Sequence, residues 1–246
     1  MQDKLRFSAS AIRGKDCGYV AYHAPRYAFL LQLLAEYGIT ANTTLLDIGP
    51  SRLTALIHAS FGVRVDSLGF GLDHSVDGAR HFEFDLNCAQ DATHWRQDLP
   101  RYEFVVMAEV LEHLYTAPPL VLAFVQTLLA ANGRLILQTP NAASLPKRLK
   151  LLLGRNPYEM LRVDRSDPGH FREYTVSELH RLAEQTGFYV EKCMTRFYFD
   201  ARFAHHAAGH VKPQPVVGQV KNSLYRFLPE RLREGITMVW RKPGLA

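Results

Sequence analysis

The chain has 246 residues, a hydrophobic content of 47% and a charged content of 22%, which predict one soluble globular domain spanning residues 1–246. Its formal net charge of +5 is mildly basic, so it permits an anionic substrate or surface without requiring nucleic acid. The three cysteines are isolated in the sequence, which predicts a reducing, cytoplasmic setting without disulfides. No apolar segment follows the amino terminus and no apolar run is long enough to cross a membrane, so we expect neither a signal peptide nor a membrane span.

The first predicted element is a helix. Apolar residues recur at helical spacing from Tyr19 to Tyr37, and Gly38 is typical of a helix end. Three polar side chains lie near the start of this helix, and we expect a solvated polar face from Tyr22, His23 and Arg26.

The next element is an apolar strand, 45–48, that carries Asp47 near its carboxyl end and runs into Gly49. Ligands of open α/β sheets bind at the carboxyl ends of strands, and a glycine permits close approach of the backbone. The segment resembles the first motif of the class I S-adenosylmethionine-dependent methyltransferases, although Ser51 and Leu53 stand where that family has its second and third glycines. The resemblance implies cofactor contacts from Asp47, Ile48, Gly49, Pro50 and Ser51.

Two further strands are predicted at 62–68 and 81–87. The family places an acid after the second strand, where it holds the ribose hydroxyls, but the corresponding position is near Gly69. The alternatives are Asp66, Asp73 or other groups. After the third strand, the resemblance implies that Asp85 and Leu86 contact the adenine ring.

A fourth strand, 102–107, leads into the segment Glu109-Val-Leu-Glu112-His113. If this segment is helical, residues 109, 112 and 113 share one face at the carboxyl end of a central strand. Small-molecule class I methyltransferases very often carry a similar segment. The resemblance implies that Glu109 lies on the cofactor side, and that His113 is the general base for the acceptor with Glu112 as its orienting partner.

A helix over 118–131 and a strand over 134–138 come next, and Asn141 follows in a polar turn that we expect to face the acceptor. The first insertion, 142–172, contains a basic amphipathic stretch at 145–155. It could contact a membrane surface or cap an anionic substrate, but we favour a surface helix that packs on the domain by its leucines.

The next stretch contains the acceptor-side candidates His170 and Tyr174, followed by a capping box of Thr175 and Glu178 that opens a helix. A similar run precedes the sixth strand in many small-molecule methyltransferases. That strand is predicted at 188–193.

The second insertion, 200–233, contains three histidines, for which we prefer a solvated or substrate-facing loop to a metal site because no cysteine or acid completes the set: His205, His206 and His210. A seventh strand, 236–241, is expected to lie antiparallel in the edge region of the sheet.

Together these blocks predict an α/β fold, a Rossmann-like, doubly wound, seven-stranded and mostly parallel sheet with helices on both faces. The core is expected over 40–195 together with a last strand at 235–241. The resemblance, to methyltransferases of the small-molecule kind, implies S-adenosylmethionine as cofactor and a hydroxyl or other nucleophile of a small-molecule, glycan or lipid-linked acceptor. Nucleic acid is not favoured, and the sequence does not indicate an oligomeric state.

Other functions stay open at this point. Similar blocks in ubiquinone-type O-methyltransferases, and in plant small-RNA 2′-O-methyltransferases that add a later histidine, hold a divalent metal. We favour a metal-free site and keep metal-dependent RNA 2′-O-methylation as an alternative. A non-catalytic S-adenosylmethionine-binding protein is another, whereas the lack of Gly-x-Gly-x-x-Gly disfavours a dinucleotide-dependent oxidoreductase.

Overall fold

A central β-sheet organises the chain in the computed structural model, which describes residues 17–70, 76–164, 168–205, 211–213, 215–225 and 227–244. The strands, numbered in chain order, are β1 (Leu45–Ile48), β2 (Val65–Gly69), β3 (His81–Glu83), β4 (Tyr102–Ala108), β5 (Leu129–Pro140), β6 (Tyr189–Arg196), β7 (Phe203–His205), β8 (Val211–Pro213) and β9 (Gly235–Arg241). The α-helices are α1 (Cys17–Glu36), α2 (Arg52–Phe61), α3 (Pro118–Thr127), α4 (Leu145–Leu152), α5 (Val176–Gln185) and α6 (Pro215–Tyr225).

Seven of these strands form one sheet in the order β3-β2-β1-β4-β5-β9-β6. β9 runs antiparallel to both β5 and β6, and the other strand pairs are parallel. The predicted seven-stranded, mostly parallel sheet is therefore confirmed. The last strand is antiparallel and lies in the edge region as predicted, between β5 and the edge strand β6.

Helices cover both faces of the sheet, as predicted. Residues of α1 and α2 pack on one face against Phe104 and Val106 of β4. Residues of α3 and α5 pack on the other face against Val105 and Met107. Successive side chains of a strand point to opposite faces, so the apolar run of β4 supplies both layers of the core and holds its carboxyl end rigidly in the centre of the sheet.

The helix expected over 118–131 ends earlier than predicted, at Thr127, and β5 begins at Leu129. The pairing of β4 with β5 shifts from Tyr102 opposite Leu129 to Phe104 opposite Arg134. Residues between these pairs form an irregularity in which Asn132 has φ of +60°. The Asn-Gly pair that suggested a helix stop therefore lies inside an extended strand, as a bulge.

The two insertions contain short elements of their own. The first carries α4, and the second carries a β7–β8 hairpin and α6. His205 ends β7, whereas His206 and His210 lie outside the described residues. Within the described part of the chain, no helix has the length and apolar character needed to cross a membrane.

The leucines of α4 do not pack on the domain as we expected. No residue of this helix is buried, and the exposed fractions of Leu149, Leu151 and Leu152 are 50%, 56% and 81%. These apolar side chains are therefore exposed instead of packed against the domain. This corrects the prediction of an ordinary surface helix.

Candidate active site

The candidate site lies where the strand order reverses, between β1 and β4. Ile48 pairs with Met107 across these strands, so the turn after β1 and the segment after β4 leave the sheet side by side. A crevice outside the carboxyl ends of strands at such a switch point is the usual ligand site of open α/β sheets. The residues predicted from the first motif and those of the Glu109–His113 segment therefore meet at one place.

Gly49 has a left-handed backbone, with φ of +74°, and its amide donates to the Leu68 carbonyl at 2.9 Å. A Cβ built at this position would lie 2.6 Å from Cγ2 of Val110. The glycine is thus required by the turn and by the packing of Val110. This contact joins the turn after β1 to the segment after β4.

Ser51 caps the amino terminus of α2, and this role accounts for a serine where the family has its second glycine. Its hydroxyl accepts from the Leu53 amide at 3.2 Å, and Oγ1 of Thr54 accepts from the Ser51 amide at 3.0 Å. Leu53, in place of the third glycine, is buried among the residues of α1 and α2. The departures from the glycine pattern therefore serve to cap and anchor the helix.

Asp47 is buried at the end of β1, with 2% of its surface exposed. Oγ1 of Thr54 donates to Asp47 Oδ2 at 2.6 Å. Burial raises the pKa of Asp47 to about 7, against the lowering effects of this hydrogen bond and of Arg26. A buried carboxyl of this kind favours a cationic ligand group, because a nearby positive charge restores its ionised form.

The position after β2 where the family has an acid is occupied by Gly69, as the sequence predicted. Gly69 has φ of +149°, and a Cβ there would lie 3.1 Å from Cδ of Pro50. Asp66 is not a substitute, because its carboxylate accepts from Arg80 at 2.7 Å and from the Tyr102 hydroxyl at 2.9 Å. The remaining alternative, Asp73, lies outside the described residues.

Asp85 begins a 3₁₀ turn after β3. Its Oδ1 accepts from the backbone amide and the side-chain amide of Asn87, at 2.8 and 3.1 Å. Among the described residues no group donates to Oδ2, and Leu86 is buried beside it. Asn87, which sequence reasoning missed, also accepts from the amides of Tyr115 and Thr116 at 2.9 and 3.1 Å. It thereby fixes this turn to the loop that follows His113.

The Glu109–His113 segment is not the α-helix that the spacing suggested. Glu109 has φ of +58° and its amide donates to the Gln138 carbonyl at 2.8 Å. A short 3₁₀ turn, Leu111–His113, follows. The shared helical face is therefore replaced by a strained turn whose conformation depends on the neighbouring strand β5.

Two acids face the crevice: Glu112 is buried, and Glu109 is half-buried with 17% of its side chain exposed. Burial raises the pKa of both carboxyls, and the charge of Glu109 raises that of Glu112 further. Within the described residues, Oε1 of each has no hydrogen-bond partner. Arg26 of α1 lies 3.8 Å from Glu109 Oε2. These unsatisfied buried oxygens are suited to a ligand, since buried polar atoms are normally paired.

Arg26 and its neighbour His23 are buried, with 5% and 8% of their surfaces exposed. Tyr22 is partly buried and stacks on Phe199, with ring centroids 4.7 Å apart. The solvated polar face predicted for the start of α1 is therefore wrong. These residues line the crevice, and Arg26 places a positive charge beside Glu109.

His113 is oriented by a backbone group. Its Nδ1 lies 3.0 Å from the Gly169 carbonyl, which only accepts, so Nδ1 carries the proton and Nε2 is the basic nitrogen. The predicted orienting partner, Glu112, instead accepts from Oγ1 of Thr139 at 3.0 Å. Gly169 in the first insertion, and not Glu112, therefore sets the tautomer of His113.

His170 approaches His113 from the first insertion, as predicted. The ring centroids are 4.7 Å apart in an edge-to-face arrangement. Nδ1 of His170 lies 3.1 Å from Oε1 of Glu173. Glu112, His113 and His170 each offer one ligand atom, and these atoms lie within 4.8 Å of one another. This cluster is able to hold a divalent cation or to bind a proton-donating acceptor.

The family model described as a methyltransferase domain matches residues 19–192, which include every residue of the crevice described above. The chain belongs to this methyltransferase family. It is an S-adenosylmethionine-dependent enzyme.

Solved structures of other methyltransferases share the fold. A S-adenosylmethionine-dependent methyltransferase from Archaeoglobus fulgidus is 17% identical with a TM-score of 0.54, covering 88% of this chain and 94% of its own. One from Methanosarcina mazei is 14% identical with a TM-score of 0.53, covering 86% and 98%. A chain of the complex between the Haloferax volcanii Trm112 methyltransferase activator and a methyltransferase candidate is 12% identical with a TM-score of 0.61, covering 97% of each. No curated protein matches in sequence.

Two residues predicted on the acceptor side of this methyltransferase have structural roles instead. Asn141 is buried, its Nδ2 donates to the Arg233 carbonyl at 2.8 Å, and its Oδ1 accepts from the Ala143 amide at 2.9 Å. Tyr174 is also buried, and it forms a β-bridge with Asn141. The side chain of Asn141 thus joins the two insertions, and its hydrogen bonds leave no reason to assign it to the acceptor.

Two charged residues at the methyltransferase site were missed from the sequence. Nζ of Lys147 contacts Glu173 Oε2 and donates to the Asn141 carbonyl at 3.2 Å. Burial lowers the pKa of Lys147 to about 8. Glu173 therefore holds Lys147 and His170 at once. The His170-x-x-Glu173 spacing was the available signal, whereas nothing in the sequence indicated that Lys147 turns inward from an exposed helix.

The residues of the crevice fit S-adenosylmethionine, which carries a sulfonium and an ammonium group. Asp47 is buried and Glu109 is half-buried, and burial raises the pKa values of both carboxyls although the nearby Arg26 lowers them. Asp85 retains an oxygen, Oδ2, without a donor among the described residues. Cationic groups and an amino donor are the partners that these acids need.

Replacing Asp85 with alanine is expected to weaken S-adenosylmethionine binding by about 1–3 kcal/mol, through loss of a charge-assisted hydrogen bond to the adenine amino group. Calorimetric titration measures the change. Asp91 provides a matched control, because it also caps a 3₁₀ turn through its side chain. Asp91→Ala removes a comparable cap and should leave the affinity unchanged. An unaltered affinity in Asp85→Ala would show that another group contacts the adenine ring.

Proposed function

We propose that this methyltransferase acts on a hydroxyl or other nucleophile of a small-molecule, glycan or lipid-linked acceptor, with His113 as general base. The observation that carries the proposal is the hydrogen bond from His113 Nδ1 to the Gly169 carbonyl, 3.0 Å long. It leaves Nε2 as the proton acceptor on the side of the crevice where His170 lies.

The cofactor side of the crevice is proposed to comprise the turn after β1, the turn after β3 and the first acid after β4. When bound, S-adenosylmethionine supplies an electrophilic methyl group. The chain provides buried acids for its cationic groups and an acceptor oxygen for its adenine. The proposed contacts come from Asp47, Ile48, Gly49, Pro50, Ser51, Asp85, Leu86 and Glu109.

The acceptor side is proposed to comprise His113, His170 and the buried part of Lys147. Little proton chemistry is needed beyond removing the acceptor proton, so the main task of the chain is to position the nucleophile and exclude water. Glu112 makes no hydrogen bond to His113 and instead accepts from Oγ1 of Thr139. The Gly169 carbonyl, and not Glu112, therefore orients the proposed base.

The second candidate function is metal-dependent methylation, including RNA 2′-O-methylation. It is favoured by the cluster of Glu112, His113 and His170, whose ligand atoms lie within 4.8 Å of one another. Both imidazoles have Nδ1 beside an oxygen, of Gly169 and Glu173 respectively. Such an arrangement is typical of metal-binding histidines. Against RNA, the chain is only mildly basic, with a net charge of +5.

A transfer assay with labelled S-adenosylmethionine tests the two candidates. Small-molecule, glycan, lipid-linked and short RNA acceptors are screened before and after exhaustive chelation. We expect transfer to a non-RNA acceptor at an unchanged rate after chelation. A rate that chelation abolishes and Mg²⁺ or Mn²⁺ restores would establish the metal-dependent function. Calorimetric binding of S-adenosylmethionine without transfer to any acceptor class would indicate a non-catalytic binding protein.

A further inference from the structure

The first insertion exposes an unusual amount of apolar surface. Eight large apolar side chains between 149 and 163 are exposed by 42–103%: Leu149, Leu151, Leu152, Leu153, Tyr158, Met160, Leu161 and Val163. We call residues 148–163 the leucine-rich segment. A contiguous exposed apolar patch on a soluble domain marks an interaction surface, because scattered single apolar residues are normal but such a run is not.

The same segment is strongly basic. It contains four basic residues, Arg148, Lys150, Arg155 and Arg162, and one acid, Glu159. Glu159 lies 3.3 Å from Arg162. Long basic side chains can place their charged ends beside phosphates while neighbouring leucines enter an apolar layer. The combination of exposed leucines with cations is typical of interfacial membrane-binding segments.

The leucine-rich segment begins beside the active site. The contact between Lys147 and Glu173 closes the base of the loop, and Glu173 also orients His170. The start of the segment is therefore joined to the residues that line the crevice.

A second apolar stripe lies on α6. Val216, Val220 and Leu224 recur at helical spacing and are exposed by 57–75%, and Phe227, beyond the end of the helix, is exposed by 87%. Lys221 of α6 and Lys147 of α4 both act electrostatically on Glu234. The two insertions thus flank the same end of the crevice and present apolar side chains there.

We propose that the leucine-rich segment docks this methyltransferase on the surface of an anionic lipid bilayer. Charge complementarity favours an anionic bilayer over a second copy of the chain. A second copy of the chain would oppose the same basic segment to itself in a two-fold interface, and like charges would repel. An anionic bilayer offers phosphates for the four cations and an acyl layer for the leucines.

The docked orientation would place the mouth of the crevice at the bilayer surface. A lipid-linked acceptor could then reach His113 without leaving the membrane, an inference that rests on the proposed function. Membrane docking itself does not depend on the chemistry, so vesicle binding tests it whether or not methyl transfer is detected.

Co-sedimentation with vesicles tests the proposal. Wild-type protein is expected to sediment with an equimolar mixture of phosphatidylcholine and phosphatidylglycerol, to do so less at high salt, and to remain in solution with phosphatidylcholine alone. The Lys150→Glu, Arg155→Glu double variant should bind at least about 25-fold more weakly, at about fivefold for each cation. Leu152→Glu with Leu153→Glu should weaken binding by about tenfold for each leucine.

Matched controls come from the opposite end of the sheet. Arg101 is exposed just before β4, and Tyr189 is exposed by 59% at the start of β6. Arg101→Glu and Tyr189→Glu change the same kinds of side chain and should bind vesicles as wild type does. Melting temperatures verify that all variants fold.

Three outcomes would overturn the proposal. The first is failure of the wild-type protein to sediment with either kind of vesicle. The second is wild-type sedimentation of both double variants, which would assign any binding to another surface. Light scattering that detects a dimer of the wild type, lost on Leu152→Glu with Leu153→Glu, would assign the segment to a second copy of the chain.

Discussion

Replacing His113 with alanine is expected to lower kcat by about a hundredfold to ten-thousandfold while leaving S-adenosylmethionine affinity unchanged, because the variant loses the general base and not a cofactor contact. His113 Nε2 is the basic nitrogen, since Nδ1 donates to Gly169. Steady-state kinetics on the acceptor found in the screen gives kcat, and calorimetry gives the affinity.

His94→Ala is the matched control, because His94 also ends a short 3₁₀ turn but lies exposed after β3. It should retain the wild-type rate. His170→Ala separates the two candidate functions. A base at His113 predicts a smaller loss in His170→Ala, whereas a metal site predicts losses of similar size that accompany loss of Mn²⁺ binding. Full activity of His113→Ala would refute its role.

Gly49→Ala is expected to destabilise the protein and to weaken S-adenosylmethionine binding by at least about tenfold. The left-handed backbone alone costs about 1–2 kcal/mol with an alanine. The added Cβ also meets Val110 Cγ2 at 2.6 Å, and overpacking of this kind costs about 1–3 kcal/mol more. Displacement of Val110 would move the neighbouring Glu109, so cofactor binding is affected together with stability.

Gly62→Ala is the control that has the cost of the left-handed backbone without the contact with Val110. Gly62 has φ of +65°, close to the +74° of Gly49, but a Cβ there would lie 3.9 Å from Cβ of Ala41, an ordinary van der Waals distance. Urea denaturation should give a smaller loss in the free energy of unfolding for Gly62→Ala, with unchanged cofactor affinity. Equal destabilisation of both variants would show that the contact with Val110 is unimportant.

Local signals in the sequence were sufficient for the fold. The apolar strand that ends in Asp47 and Gly49 predicted the switch point, and the capping box of Thr175 and Glu178 opens α5 as expected. Such features depend on residues that are close in the chain. The alternation of apolar strands with helices then determines a doubly wound sheet.

The conformation of the site depended on distant partners and was not predictable in this way. Glu109 is held in its left-handed conformation by the carbonyl of Gln138, and Arg26 is buried because it reaches Glu109. For Asn141, a polar residue in a turn suggested the acceptor, but its amide satisfies main-chain groups of the second insertion. These pairings arise only once the sheet has formed.

The first insertion is tied to the catalytic turn by main-chain atoms. The amides of Phe171 and Arg172 donate to the Glu112 carbonyl at 2.8 and 3.3 Å, and the Gly169 carbonyl accepts from His113. Such bonds do not depend on which side chains the insertion carries. Under the proposed function, substitutions along the insertion would therefore change the acceptor-facing side chains while the imidazole of His113 stays in place.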